Sequence, residues 1–196
     1  MQFHVFAAGV VLQKGVDAVD AAEAHATGID EHGVLVGNRL LAVNHDHFVS
    51  FRLDLDVGAT DQLVRQEMVP EAVTGGSDRT TIWKLRDRLV SGTKDAAYTP
   101  DPLHPARVLI RSSASDGPLG HQPSYEIDFG EAVAVAPPAA ENDPGSRRGG
   151  WAAQSLWVTP YDASQQFASG LFVPDGSRAA GLPVWAAQDA SIVDRD

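Results

Sequence analysis

The chain contains no cysteine. Disulfides, thiolate metal sites and a cysteine nucleophile are therefore excluded. Basic residues are scarce: 15 Lys and Arg stand against 26 Asp and Glu, a net charge of −11. That balance argues against nucleic acid and anionic membrane as partners. No run approaches the ~20 apolar residues of a membrane span. Met1 to Leu12 is apolar, but it lacks a basic start and is interrupted by His4. It does not read as a signal peptide, and cytoplasm is the default location. Apolar residues make up 43% and charged residues 21% of 196 positions. This is the composition of a soluble globular protein, long enough for one domain with a real core.

The most patterned stretch runs from Asn44 to Val57. It opens with His45 and His47 and then alternates: Val49, Phe51, Leu53, Leu55 and Val57 are apolar, while Ser50, Arg52, Asp54 and Asp56 are polar. Such alternation predicts a half-buried β-strand. On a strand, His45 and His47 share a face with Cα atoms about 6.6 Å apart. Two imidazoles at that spacing can close on one metal, and imidazole suits copper or zinc. Asp54 and Asp56 fall on the other parity, roughly 23 Å further along if the strand stays extended. Paired oxygens suit calcium, magnesium or manganese. Taken alone, each pair is more often an ordinary feature of a strand than a metal site: a His-x-His pair is a metal site in roughly one case in five, and Asp54 and Asp56 are more often a solvated strand face.

The rest of the chain predicts further short strands. Gln2 to Leu12 reads as a buried strand, and Gly15 to Asp30 as a surface excursion with a short helix within Asp17 to Ala26. Val34 to Val36 and Leu40 to Val43 flank Gly37-Asn38, as two short strands or one bent at the glycine. After a polar link comes Gln62 to Val69. Arg79 to Leu89 alternates around Trp83 and Leu85. Arg107 to Arg111, Ser124 to Ala136 and Ser155 to Tyr161 are additional strands. The proline-bearing stretches Ala96 to Pro105 and Pro137 to Gly150 are loops. Strands at short intervals with turn chemistry between them predict an all-β antiparallel sandwich. No repeat and no domain boundary stands out.

The string Asn44-His45-Asp46-His47-Phe48, followed by Ser50-Phe51-Arg52-Leu53-Asp54-Leu55-Asp56, resembles the copper-ligand strand of the quinone-containing copper amine oxidases. Leu119-Gly120-His121 with Tyr125, the strand Leu156 to Tyr161, and Gly181-Leu182-Pro183-Val184-Trp185 with Asp189 extend the resemblance over nearly the whole chain. Ala7-Ala8-Gly9-Val10 resembles the family strand that follows the cofactor-bearing one.

The resemblance implies a partial catalytic domain over residues 1–196, part of a large antiparallel β-sandwich in a homodimer. It implies oxidation of primary amines by O2 and water to aldehyde, ammonia and hydrogen peroxide. In the family three histidines hold one copper ion. A tyrosine in an Asn-Tyr-Asp/Glu motif becomes topaquinone, which carries the amine chemistry, and an upstream aspartate removes the α-proton. His45 and His47 match the first two copper ligands. Asp54, the Leu55 carbonyl, Asp56 and Asp196 match a peripheral calcium or manganese site.

The departures are equally specific. Tyr98, Tyr125 and Tyr161 follow Ala97, Ser124 and Pro160, so none lies in the quinone motif. The catalytic aspartate, upstream of that motif, is also missing, and no catalytic residue is assigned. The third ligand, in Gly-x-Thr-His, falls past Asp196. His4, His25, His32, His104 and His121 lack its context and read as ordinary histidines. Around Gln165-Gln166-Phe167 and at Leu171 the family more often carries charge. The expectation is therefore one piece or subunit of a split or truncated amine oxidase. It would be inactive by itself and would associate with a second copy or with a complementary chain. The alternatives are a non-catalytic β-sandwich remnant with weak or no metal binding, or a small metal-binding module of unrelated activity.

Overall fold

A computed structural model of the chain describes residues 1–6, 8–58, 60–74, 80–113, 117–130, 149–171 and 180–192. The chain forms two compact units, Met1–Phe48 and Val49–Asp196. Both are built on antiparallel sheets with few, short helices, the all-β class that strand spacing predicts. No helix among the described residues is long and apolar enough to cross a membrane.

The first unit is a three-stranded sheet of order β1–β3–β2, with β1 at Gln13–Gly15, β2 at Gly33–Gly37 and β3 at Leu40–Val43. The predicted pair of strands around Gly37-Asn38 is thus a hairpin, with Arg39 in the left-handed region (φ 60°) at its turn. Gly33 lies opposite Val43, and a Cβ there would sit 2.1 Å from the Ala42 carbonyl oxygen, so only glycine fits. Helix α1 (Ala21–Ala26) supplies the predicted short helix. Its N-cap is Asp20, which accepts the Glu23 N–H at 2.9 Å, while the Glu23 carboxylate accepts the Val19 N–H at 3.0 Å. Capping of this kind satisfies donors that the first helical turn leaves free. Leu41, Ala18 and Ala24 are the buried apolar residues of this unit.

The second unit is a four-stranded sheet of order β5–β4–β6–β7: β4 Asp61–Ala72, β5 Thr81–Val90, β6 Ala106–Ser112 and β7 Ser124–Ile127. Leu63, Val90 and Val108 are buried with Ala96, which ends the short helix α2 (Thr93–Ala96). Tyr98, Ile110, Ile127, Phe129, Leu156, Val158 and Ile192 pack against them. Arg65 reaches off β4 to donate to the carbonyls of Asp95 (2.7 Å) and Ala97 (2.6 Å), with its guanidinium 5.1 Å from the Tyr98 ring centroid. Partial burial there lowers the Arg65 pKa, with the neighbouring Arg88 charge acting in the same direction. Helix α3 (Leu182–Ala187) begins with Pro183 in its first turn, a position where the missing N–H is no loss. Buried Thr93 ties α2 to α3: its hydroxyl donates to the Ala186 carbonyl at 2.8 Å and accepts the Ala190 N–H at 3.1 Å.

Several predicted strands take another form. The described residues of 1–12 carry no strand, and Phe6 and Val10 are almost fully exposed. An apolar run becomes a strand only where a ladder partner exists, and β3 offers its edge to Gln13–Gly15 instead. Asn44 to Val57 joins neither sheet. Ser155 to Tyr161 makes only a bridge at Leu156, which exchanges hydrogen bonds with Tyr98 at 2.8 and 3.0 Å. Pro160, with no N–H to give, ends any ladder there. Arg107 to Arg111 and the alternating stretch around Trp83 are strands as predicted. Ser124 begins β7, whereas Arg79 and residues 131–148, with most of the predicted Pro137 to Gly150 loop, lie outside the described residues.

Candidate metal centre

Residues 44–48 follow directly from β3. The Asn44 N–H donates to the His32 carbonyl at 2.9 Å, which fixes the chain as it leaves the sheet. The next residue, His45, folds its ring back so that Nδ1 lies 2.9 Å from the Val43 carbonyl oxygen. A carbonyl oxygen only accepts, so Nδ1 carries the hydrogen and the Nε2 lone pair is left for a metal. A backbone carbonyl that fixes tautomer and ring orientation is a common outer partner of metal-bound histidine. The His47 ring lies against it, edge to face, with centroids 4.6 Å apart and an interplanar angle of 70°. Both rings are exposed. The structure therefore brings together the two imidazoles that sequence spacing pairs, without the strand from which the pairing was argued.

The oxygen-bearing triplet Asp54-Leu55-Asp56 belongs to the second unit. Asp54 and Asp56 are exposed, and Leu55 is half-buried. Asp56 accepts the Gly58 N–H at 3.1 Å. The Val57 N–H points at both oxygens of Asp61, at 3.2 and 3.1 Å, tying this segment to the start of β4. On its other side Arg52 binds the turn at residues 162–165: it donates to the carbonyls of Gln165 and, at 3.1 Å, of Asp162. Its guanidinium carbon also lies 5.3 Å from the Tyr161 ring centroid. The sequence carries Arg52 and Tyr161 inside two separate motifs, but no periodicity links positions so far apart. Asp196, the remaining candidate oxygen ligand, lies outside the described residues.

Among the described residues no three His, Cys, Asp or Glu side chains converge as a complete metal cage. The two imidazoles are a nitrogen donor pair of the kind copper takes, and the triplet is an oxygen donor set of the kind hard cations take. Two other histidines have ordinary partners. His25 Nδ1 lies 2.8 Å from Asp30, and His104 Nδ1 lies 2.7 Å from Asp101. The His104 ring, foremost, holds the Asp101 carboxyl below its usual range.

Comparison with known proteins gives one consistent answer. The family model described as copper amine oxidase, enzyme domain, matches residues 1–196. The chain is 29% identical over 195 residues to the copper-containing amine oxidase gamma 1 of Arabidopsis thaliana, covering 98% of this chain and 27% of that protein. It is 30% identical over 193 residues to the peroxisomal copper-containing amine oxidase alpha 2 of the same plant, covering 96% and 28%. It is 28% identical over 167 residues to a primary amine oxidase of Lens culinaris, covering 84% and 25%. The chain thus spans about a quarter of the length of these relatives. Matched from its first residue to its last by the enzyme-domain model, this chain belongs to the copper amine oxidase family.

Proposed function

We propose that these residues form the copper-holding part of a primary-amine oxidase, with His45 and His47 as two of the copper ligands. The observation that carries this reading is the hydrogen bond from His45 Nδ1 to the Val43 carbonyl, beside a second imidazole 4.6 Å away between centroids. It presents Nε2 of His45 as a donor and holds the ring still. A copper ion held there would take its remaining ligands from water or from residues outside the described ones. In the complete enzyme, copper and topaquinone supply the oxidation of the amine by O2. The part of this chain is to fix the imidazoles and, through Asp54, the Leu55 carbonyl, Asp56 and Asp196, to hold a peripheral calcium or manganese ion. None of the three tyrosines stands in an Asn-Tyr-Asp/Glu motif, so the quinone precursor is outside these residues. The 196 residues alone are therefore inactive, and residues outside them, which a second copy would equally lack, complete the enzyme. The relatives' names, copper-containing and primary amine oxidases, support the substrate class.

Copper titration of the chain, followed by calorimetry and the Cu(II) electron paramagnetic spectrum, tests the assignment. A weak site with nitrogen hyperfine structure is expected, lost in either His45→Ala or His47→Ala. Aerobic incubation of the copper-loaded chain should give no quinone absorbance and no peroxide from a primary amine. Tight stoichiometric copper that survives both substitutions would overturn the ligand assignment. No copper binding at all would favour the second reading, a β-sandwich remnant without catalysis. That reading takes its support from the lack of a third converging ligand among the described residues.

A further inference from the structure

The segment that carries Asp54, Leu55 and Asp56 joins no sheet, yet it is fastened at both ends. Downstream, the Val57 N–H is held by the Asp61 carboxylate at the first residue of β4. Next to it Gly58 is pressed against Ser112 of β6, where a Cβ would fall 2.4 Å from the serine hydroxyl. Upstream, the two guanidinium nitrogens of Arg52 engage the carbonyls of Gln165 and Asp162 while the guanidinium lies on the Tyr161 ring. The turn it grips is itself set: the Asp162 carboxylate accepts the Ser164 N–H at 2.8 Å and its hydroxyl at 2.7 Å. Asp54 stands two positions after Arg52, a reach of about 7 Å at most.

We infer that Arg52 is a positioning residue for a divalent-cation site: by clamping the chain to the 162–165 turn it presets the Asp54-Leu55-Asp56 oxygens and so raises their affinity for a hard cation. The inference rests on the reading of that triplet as a metal site. The donor chemistry fits: two exposed carboxylates and an intervening backbone carbonyl are oxygen ligands of the hard type. In a strand, ladder hydrogen bonds would hold such a triplet still; here side chains at its two ends do so. Arginine suits the role because its planar fork meets two carbonyls at once while its face stacks on an aromatic ring. Lysine offers a point charge with neither property.

The test is Mn2+ titration of the full chain, read by the free-ion paramagnetic signal. Arg52→Ala should weaken Mn2+ binding by about tenfold, the lower range for loss of an outer-shell partner. Arg52→Lys should recover part of that loss. Val108→Ala, a core truncation in the same unit, should lower the melting temperature yet leave Mn2+ affinity unchanged below the melt. If Arg52→Ala fails to fold, Tyr161→Leu removes the stacking partner and keeps the fork, and should still weaken binding severalfold. Unchanged affinity in the folded Arg52 and Tyr161 variants overturns the inference. Equal weakening by Val108→Ala also overturns it, since the effect would then be general stability. If Asp54→Asn and Asp56→Asn leave Mn2+ binding intact, it is the metal reading of the triplet that fails.

Discussion

At the scale of single residues, the state of a polar side chain here is set by the partner that fixes it. His45 has its tautomer set by a carbonyl two residues back, a local bond that any chain with this backbone turn would make. Asp87 depends on tertiary partners: its carboxylate accepts from Gln66 on β4 at 2.9 Å and from Arg111 on β6 at 2.6 Å. The Gln66 bond, and then the Arg111 bond, hold the Asp87 pKa below the ordinary carboxylate value. The Arg107 pair does the same for Glu126. A carboxylate whose pKa is lower folded than unfolded stabilises the fold above its unfolded pKa of about 4, and that contribution is lost as pH falls through the folded value. The thermal midpoint should therefore drop as the solution is acidified below about pH 4. Asp87→Asn should melt earlier at neutral pH and converge with the native chain in acid. A gap that stays constant from pH 7 to pH 3 would show that the ion pair contributes nothing to the acid limb.

Among the elements, the β4–β5 ribbon is the least supported. β4 pairs with β5 along Leu63 to Ala72, but β6 covers it only from Asp61 to Glu67. Beyond Glu67, among the described residues, two strands run on without a third. Pro70 is tolerated there because β6 no longer asks β4 for an N–H. Trp83, Leu85 and Met68 stay exposed, and the Lys84–Glu71 ion pair at 2.8 Å lies at the surface, where such pairs contribute little. A two-stranded ribbon by itself is marginal in water. Amide hydrogens of Met68, Val69, Glu71, Ala72 and Thr81 to Leu85 should therefore exchange much faster than those of Leu63 to Gln66, where a strand lies on both sides. Equal protection along the ribbon in the isolated chain would mean that its two strands suffice.

Across the whole molecule, apolar surface and charge pull in opposite directions. Phe6, Val10, Trp83 and Leu119 are among many large apolar side chains left open to solvent. Each would contribute about 1.5–3 kcal/mol if fully buried. Set against a typical domain stability of about 5–15 kcal/mol, covering even a few of them is decisive. The net charge of −11 opposes random aggregation but leaves specific association open. The chain alone should scatter light as an associating species and bind apolar dyes. A partner that covers these surfaces should convert it to one sharp thermal transition. A monodisperse, dye-silent monomer with a cooperative melt would show that the chain is self-sufficient.

The sequence by itself determined the family, the all-β class and the paired imidazoles, because each is written in adjacent residues. The string from Asn44 to Asp56 is continuous, the β2–β3 hairpin is announced at Gly37-Asn38, and His45 and His47 are close whatever backbone joins them. Where alternation met a partner, as around Trp83 on β5, the predicted strand formed. In the described residues of 1–12 and in 44–57 the same patterning forms no strand of either sheet. Only tertiary structure decided those cases, because a strand is completed by hydrogen bonds to residues whose place no local pattern records. It alone also decided that Arg52 meets the turn at Asp162 and Gln165, more than a hundred positions away. That contact lies wholly within the second unit, and it leaves no periodic trace in the sequence.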